Sequence, residues 1–124
     1  MEIEIDGELI DAGPVTSALV CNGRFAGGGM HFSPQSRITD GWLEVVVIAD
    51  APTTTALRHL PKLYDGRIGD APHIQTYRGR EIALRSLGLP IAAEADGEVL
   101  GTTPVRATIL PGAMHLMGVP DQLT

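Results

Sequence analysis

Trp42-Leu43-Glu44-Val45-Val46-Val47-Ile48, entered through Thr39-Asp40-Gly41 and left through Asp50-Ala51-Pro52, is the stretch on which the fold turns. Branching at Cβ restricts χ1 and fits a pleated surface, so the run Val45 to Ile48 predicts a buried strand. Asp40-Gly41 supplies a tight turn before it. Pro52 suits the first turn of a helix, where its missing N–H costs nothing. Leu57 and Leu60 share a face of that helix, and Pro61 opens a second short turn that carries Leu63 and stops near Gly66. The chain therefore passes from a buried strand into a helical insertion.

Strand signals lie on both sides of this core. Upstream, Met1 to Asp6 alternates polar and apolar residues, and Asp6-Gly7 turns it into a hairpin before Leu9 and Ile10. Val15 to Cys21 reads as a strand, Asn22 to Gly29 as a glycine-rich loop, and the residues after Ser33-Pro34 as irregular. Downstream, His73 to Arg85 returns to strand, with Gly79 a bulge or turn. Ile91 to Ala95, Asp96-Gly97 and Glu98 to Leu100 form a hairpin. Val105 to Leu110, Pro111-Gly112 and Ala113 to Met117 close the domain, and Asp121 to Thr124 are expected to fray. Strands, one insertion and strands again, with no βαβ alternation, predict a mainly β protein. The expected architecture is an antiparallel β-sandwich with one short helical insertion, residues 1–124 forming one domain.

Composition narrows the function classes. In 124 residues, 44% are apolar but only 4% aromatic, so the core rests on Val, Ile, Leu, Ala and Met. A formal charge of −6 with no Lys/Arg cluster argues against nucleic acid as a partner, because binding phosphates needs a basic face. The single cysteine, Cys21, has no internal partner and reads as a buried thiol suited to a reducing cytoplasm. No run approaches the ~20 apolar residues of a membrane span, and the acidic start Met1-Glu2-Ile3-Glu4 is unlike a signal peptide. A soluble, cytoplasmic chain is expected, with peripheral contact at a membrane face left open.

Among candidate chemical groups, the four histidines, His31, His59, His73 and His115, never fall at zinc-ligand spacing. No Gly-x-Ser-x-Gly elbow occurs, and the glycines at 27 to 29 lack the Gly-Lys-Ser/Thr ending of a P-loop. Asp40-Gly41 places a carboxylate on a tight turn beside backbone carbonyls, a donor mixture that Mg²⁺ accepts, although the same pair is a common plain turn. Asp-Gly-Glu occurs twice, at Asp6-Gly7-Glu8 and Asp96-Gly97-Glu98. Either glutamate could act as a general base on a hydroxyl, and spacing alone does not choose between them.

Val20-Cys21-Asn22-Gly23, the triple glycine, Ser33-Pro34, Thr39 to Val45, Leu60-Pro61-Lys62-Leu63, Ala95-Asp96-Gly97-Glu98 and Ile109-Leu110-Pro111-Gly112-Ala113 appear in a familiar order. From about Val15 to Pro120 this order resembles the C-terminal domain of bacterial diacylglycerol kinase-type members of the diacylglycerol kinase and sphingosine kinase superfamily. The resemblance implies a two-domain, ATP-dependent lipid kinase whose N-terminal α/β domain carries a Gly-Gly-Asp-Gly-Thr motif. It further implies that Glu98 accepts the proton of a lipid alcohol and that Asp96 and Gly97 line the nucleotide side. A structural Mg²⁺ would be held by the Asp40 carboxylate and the carbonyls of Arg37 and Trp42. No Gly-Gly-Asp-Gly-Thr stretch occurs in this sequence. The N-terminal ATP-binding domain is therefore an expected missing partner, and the isolated chain is expected to be inactive. A face left uncovered by that domain would favour homo-oligomers. The alternative reading is a non-catalytic β-sandwich module that binds a lipid or a protein.

Overall fold

Leu43–Ala49, the buried run, is the middle strand of a three-stranded antiparallel sheet in the computed structural model of the chain, which describes residues 1–118. The expected fraying of Asp121 to Thr124 lies outside the described residues. In chain order the strands are β1 (Glu2–Ile5), β2 (Glu8–Ile10), β3 (Val15–Cys21), β4 (Phe25–Ala26), β5 (Met30–His31) and β6 (Leu43–Ala49). Two short helices follow, α1 (Thr53–His59) and α2 (Lys62–Asp65), with a 3-10 turn at Ile68–Asp70. The chain then forms β7 (Ile74–Gly79), β8 (Glu81–Arg85), β9 (Ala92–Ala95), β10 (Glu98–Thr102) and β11 (Val105–Thr108).

One sheet has the order β3-β6-β7 and the other β11-β8-β1-β2, with every pairing antiparallel. Register fixes which side chains meet, because successive residues of a strand point to opposite faces. Ile3 lies opposite Leu84, and Leu84 opposite Val105; Ile5 lies opposite Ile82, and Ile82 opposite Ala107. These pack against Val45 and Val47 of β6 and Ala18 and Val20 of β3 to form the main core. Val45, Val46 and Val47 keep at most 1% exposure, and full burial of such side chains is worth roughly 1.5–3 kcal/mol each. The expected antiparallel β-sandwich is the observed one.

The helical insertion covers the outer face of the β3-β6-β7 sheet at one end. Leu63, Ile68 and Ala71 form a second cluster with Met30, Phe32 and Ile74, and Ile74 pairs with Ile48 on that outer face. Pro52 and Pro61 precede the two helices as expected, and Gly66 ends α2 in the left-handed region, at φ 75°. Leu57 and Leu60, expected to pack, are instead 62% and 48% exposed. α1 buries none of its residues, and its apolar side chains face outward.

The turn expected at Gly79 is a corner: β7 ends at Gly79 and β8 starts at Glu81 in the opposite sheet, so the chain changes layers there. Two further expectations need correction. The glycine-rich loop contains a small hairpin, β4 with β5, whose turn takes Gly27, Gly28 and Gly29 to positive φ. Ala113 to Met117 forms no strand; after Ile109 the described chain runs exposed without pairing to another strand.

Candidate functional site

The outer face of the β3-β6-β7 sheet changes character along its length. At the insertion end it is apolar; at the other end Cys21, Glu44 and Arg78 lie side by side in register on three strands. Arg78 reaches back from β7 to two carboxylates. Its Nε lies 3.2 Å from Glu44 Oε1, and its Nη2 donates to Asp40 Oδ2. The other Asp40 oxygen, Oδ1, accepts the Trp42 N–H at 3.1 Å, closing the Asp40-Gly41-Trp42 turn, with Gly41 at φ 72°. Trp42 in turn lies under two guanidinium groups, with Arg78 5.2 Å and Arg80 4.5 Å from its ring centre.

Upstream, the segment that delivers Arg37 and Asp40 is pinned by Arg24, whose Nε donates to the Ser36 carbonyl at 3.0 Å. Buried Ser36 donates its hydroxyl to Ser33 Oγ at 2.8 Å. The result is an open concavity of about 420 Å³ lined by Gln35, Arg37, Asp40, Glu44 and Arg78.

Electrostatics follow from burial. Glu44 is a carboxylate at 6% exposure, and desolvation raises its pKa; Arg78 pulls it down and Asp40 pushes it up. Cys21 is half-buried rather than fully buried. Loss of water, with Glu44 beside it, pushes its thiol up to about 11, so it is inert as a nucleophile at neutral pH.

Of Arg37, Asp40 and Trp42, the Mg²⁺ ligands that the resemblance implies, Arg37 and Asp40 line the concavity and Trp42 closes the turn through its N–H on Asp40 Oδ1; among the described residues no cluster of three or more His, Cys, Asp or Glu side chains exists. A single carboxylate backed by carbonyls is a donor set that Mg²⁺ accepts when water completes it. Asp40 Oδ2 is already engaged by Arg78, which also pairs with Glu44 and lies over Trp42, so an ion at this turn would have to displace Arg78 from the Asp40 carboxylate.

The two Asp-Gly-Glu tripeptides have the same backbone and different surroundings. Asp6 and Asp96 both sit at φ 50°, followed by glycines at 85° and 84°, the two-residue turn that matches strand twist. Asp6 Oδ1 accepts the N–H groups of Arg80 at 2.9 Å and Glu81 at 2.8 Å, at the corner where the chain changes sheets. Asp96, Gly97 and Glu98 form the tip of the β9–β10 ribbon, a two-stranded sheet that pairs with no third strand. All three are exposed, and neither carboxylate is bonded or ion-paired within the described residues. The ribbon is closed at its base by the Thr103 N–H on the Ile91 carbonyl at 2.8 Å and the Ile91 N–H on Thr103 Oγ1 at 3.1 Å. Along it, Val99 and Leu100 are exposed, as are Leu87 and Leu89 beside its base.

Residues 1–118, the whole described chain, match the family described as the YegS C-terminal NAD kinase beta sandwich-like domain. The chain belongs to this family. As a YegS C-terminal-type domain it has relatives among lipid kinases. It is 24% identical to a diacylglycerol kinase of Mycobacterium tuberculosis over 113 residues, 91% of this chain and 36% of the relative. It is 25% identical to the inferred lipid kinase YtlR of Bacillus subtilis over 99 residues, 80% of this chain and 32% of the relative. The crystal structure of an inferred diacylglycerol kinase from Bacillus anthracis str. Sterne superimposes with a TM-score of 0.71 at 22% identity. That match covers 90% of this chain and 38% of the other, and it bears on the fold alone. The chain spans about a third of the length of the curated relatives it matches. The resemblance to the C-terminal domain of diacylglycerol kinase-type proteins is borne out.

Sequence reasoning missed Glu44, Arg78 and Arg80 in the YegS-type domain. A carboxylate inside the apolar run Leu43 to Ile48 was a signal that a cation would be needed beside it. Two arginines at alternate positions, 78 and 80, offered that cation, but only the pairing of β6 with β7 shows which strand supplies it. No helix among the described residues is long and apolar enough to cross a membrane.

Proposed function

We propose that this chain is the C-terminal domain of an ATP-dependent lipid kinase that transfers the γ-phosphoryl group of ATP to the hydroxyl of a lipid alcohol. The observation that carries this reading is the contrast between the two Asp-Gly-Glu turns. Asp6 is consumed by the fold, whereas Glu98 stands exposed and unpaired at the tip of a projecting ribbon. The lipid oxygen attacks the γ-phosphorus as its proton passes to the Glu98 carboxylate; the bond from the γ-phosphorus to the β–γ bridging oxygen breaks, and ADP leaves. Asp96 and Gly97 line the nucleotide side of the same turn. Asp40 with the carbonyls of Arg37 and Trp42 would hold Mg²⁺, which when bound supplies fixed positive charge that braces the turn. Nucleotide binding falls to the N-terminal α/β domain, and the apolar side chains exposed along the ribbon are suited to being covered by it.

Phosphoryl transfer rests on positioning and electrostatics, so the 124-residue chain alone does not turn over. Residues 1–124 act as one domain in the cytoplasm, touching the membrane face only peripherally to reach the lipid. The test is Glu98→Gln in a two-domain kinase that contains this domain, assayed for phosphorylation of diacylglycerol. A fall of roughly 10² to 10⁴ is expected for a lost general base, with Glu8→Gln near wild type. Unchanged turnover in Glu98→Gln would remove Glu98 from the mechanism, and robust turnover by the 124-residue chain would overturn the division of labour between domains.

A further inference from the structure

His59 and His73 are far apart in sequence and adjacent in space. His59 is the last residue of α1 and His73 lies just before β7; their ring centres are 5.6 Å apart, with the planes inclined at 47°. His73 is fixed by its carbonyl, which accepts the Ala49 N–H at 2.8 Å at the end of β6. In both rings Nδ1 is shielded from solvent and has no hydrogen-bond partner. Either tautomer is costly there, since a bare lone pair lacks a donor and an N–H lacks an acceptor.

A cation shared by the two rings would satisfy both nitrogens at once. With metal–nitrogen bonds of about 2.0–2.1 Å, two imidazoles on one ion hold their ring centres about 5–6 Å apart, the spacing seen here. Desolvation, followed by Lys62, His73 and Arg58, keeps the His59 pKa below its ordinary value. The neutral ring is the form that ligates a metal.

We propose that His59 and His73 form a two-imidazole site for a borderline divalent cation of the Zn²⁺ class, clipping the end of the helical insertion to the β3-β6-β7 sheet. Imidazole nitrogen selects this class over Mg²⁺, so the site is chemically distinct from the Asp40 turn. No third His, Cys, Asp or Glu joins it among the described residues. Arg58 and Lys62 oppose a dication, so binding is weaker than at a closed structural zinc site.

The test is Zn²⁺ titration of the full 124-residue chain by calorimetry, with melting curves as a second readout. One equivalent should bind and raise the melting temperature; His59→Gln and His73→Gln should each weaken binding tenfold or more, while His31→Gln and His115→Gln leave it unchanged. Binding that survives in His59→Gln and His73→Gln, or no binding in wild type, would overturn the site. Imidazole ¹⁵N NMR of the wild-type chain avoids any folding defect in the variants. Zn²⁺ should move the Nδ1 signals of His59 and His73, and a response confined to His31 or His115 would refute the assignment.

Discussion

Asp6 and Glu81 are tied by a reciprocal pair of hydrogen bonds: the Asp6 N–H donates to the Glu81 carbonyl at 2.8 Å, and the Glu81 N–H donates to Asp6 Oδ1 at 2.8 Å. With the Arg80 N–H on the same oxygen, this locks the turn of the first hairpin onto the corner between β7 and β8. The bonds from Glu81 and Arg80 hold the Asp6 carboxyl below its ordinary value of 3.8. A carboxyl with a depressed folded pKa stabilises the fold above its unfolded pKa, and that contribution is lost as pH falls through the folded value. Asp6→Ala is therefore expected to lower the urea midpoint at pH 7, by an amount that shrinks as pH falls below about 4. Asp96→Ala, at the same backbone angle but without these bonds, should lower the midpoint less, by only the cost of alanine at positive φ. Equal losses from the two would mean that the corner is not held by this carboxylate.

Gly79 occupies the corner because nothing larger fits. A Cβ built there would stand 2.3 Å from Ile5 Cγ2 and 3.0 Å from Ile82 Cδ1, both core side chains. Gly79→Ala should cost roughly 1–3 kcal/mol of folding stability, the usual penalty for overpacking. Combined with Ile5→Ala, which removes the clashing methyl, the losses should fall short of additive by at least about 0.5 kcal/mol. Strict additivity in urea unfolding would place the strain elsewhere.

If Mg²⁺ binds the Asp40 turn as proposed, it competes there with Arg78. Arg78→Gln is expected to lower the Mg²⁺ concentration that half-saturates the rise in melting temperature, by several-fold at low ionic strength, and Asp40→Ala to abolish the rise. If wild type and Arg78→Gln respond alike, Arg78 does not guard the turn. If Asp40→Ala still responds as wild type does, the ion binds somewhere else.

Cys21 should be slow to alkylate. With its thiol pushed up from 9.0 to about 11 by burial and Glu44, the thiolate fraction at pH 8 falls on the order of a hundredfold, and the iodoacetamide rate with it. Unfolding in urea should restore the rate of a free thiol. A folded rate equal to the unfolded one would show that water reaches Cys21 freely.

The elements legible in the sequence were those with a local cause. The β-branched run at 45 to 48, the prolines at 52 and 61, the glycine at 66 and the turns at 6–7 and 96–97 each carry their own signal, and each stands where it was read. What stayed hidden depends on long-range register. That the turn at Gly79 carries the chain into the other sheet, tight against Ile5, depends on contacts far away in sequence. The union of Asp40, Glu44 and Arg78 follows from the pairing of β6 with β7. Leu57 and Leu60 misled because a shared helical face does not say which side of α1 meets the sheet. The two Asp-Gly-Glu turns were indistinguishable as text, and only the partners of Asp6 separate them.

β1 lies at the centre of its sheet, yet the strand it needs on one side, β8, is supplied very late: Glu2 and Arg85 are paired across 83 residues. At ribosomal rates of about 5–20 residues per second, the first hairpin would wait on the order of 4 to 17 seconds for that neighbour to be synthesised. During that interval Ile3 and Ile5 lack Leu84 and Ile82, their partners across the strand pair. The sheet can zip shut only when nearly the whole domain has left the ribosome, so a stalled or prematurely ended chain lacking β8 and β11 would expose an apolar ribbon to chaperones and proteases. Quality control of this domain is thus written into its strand order.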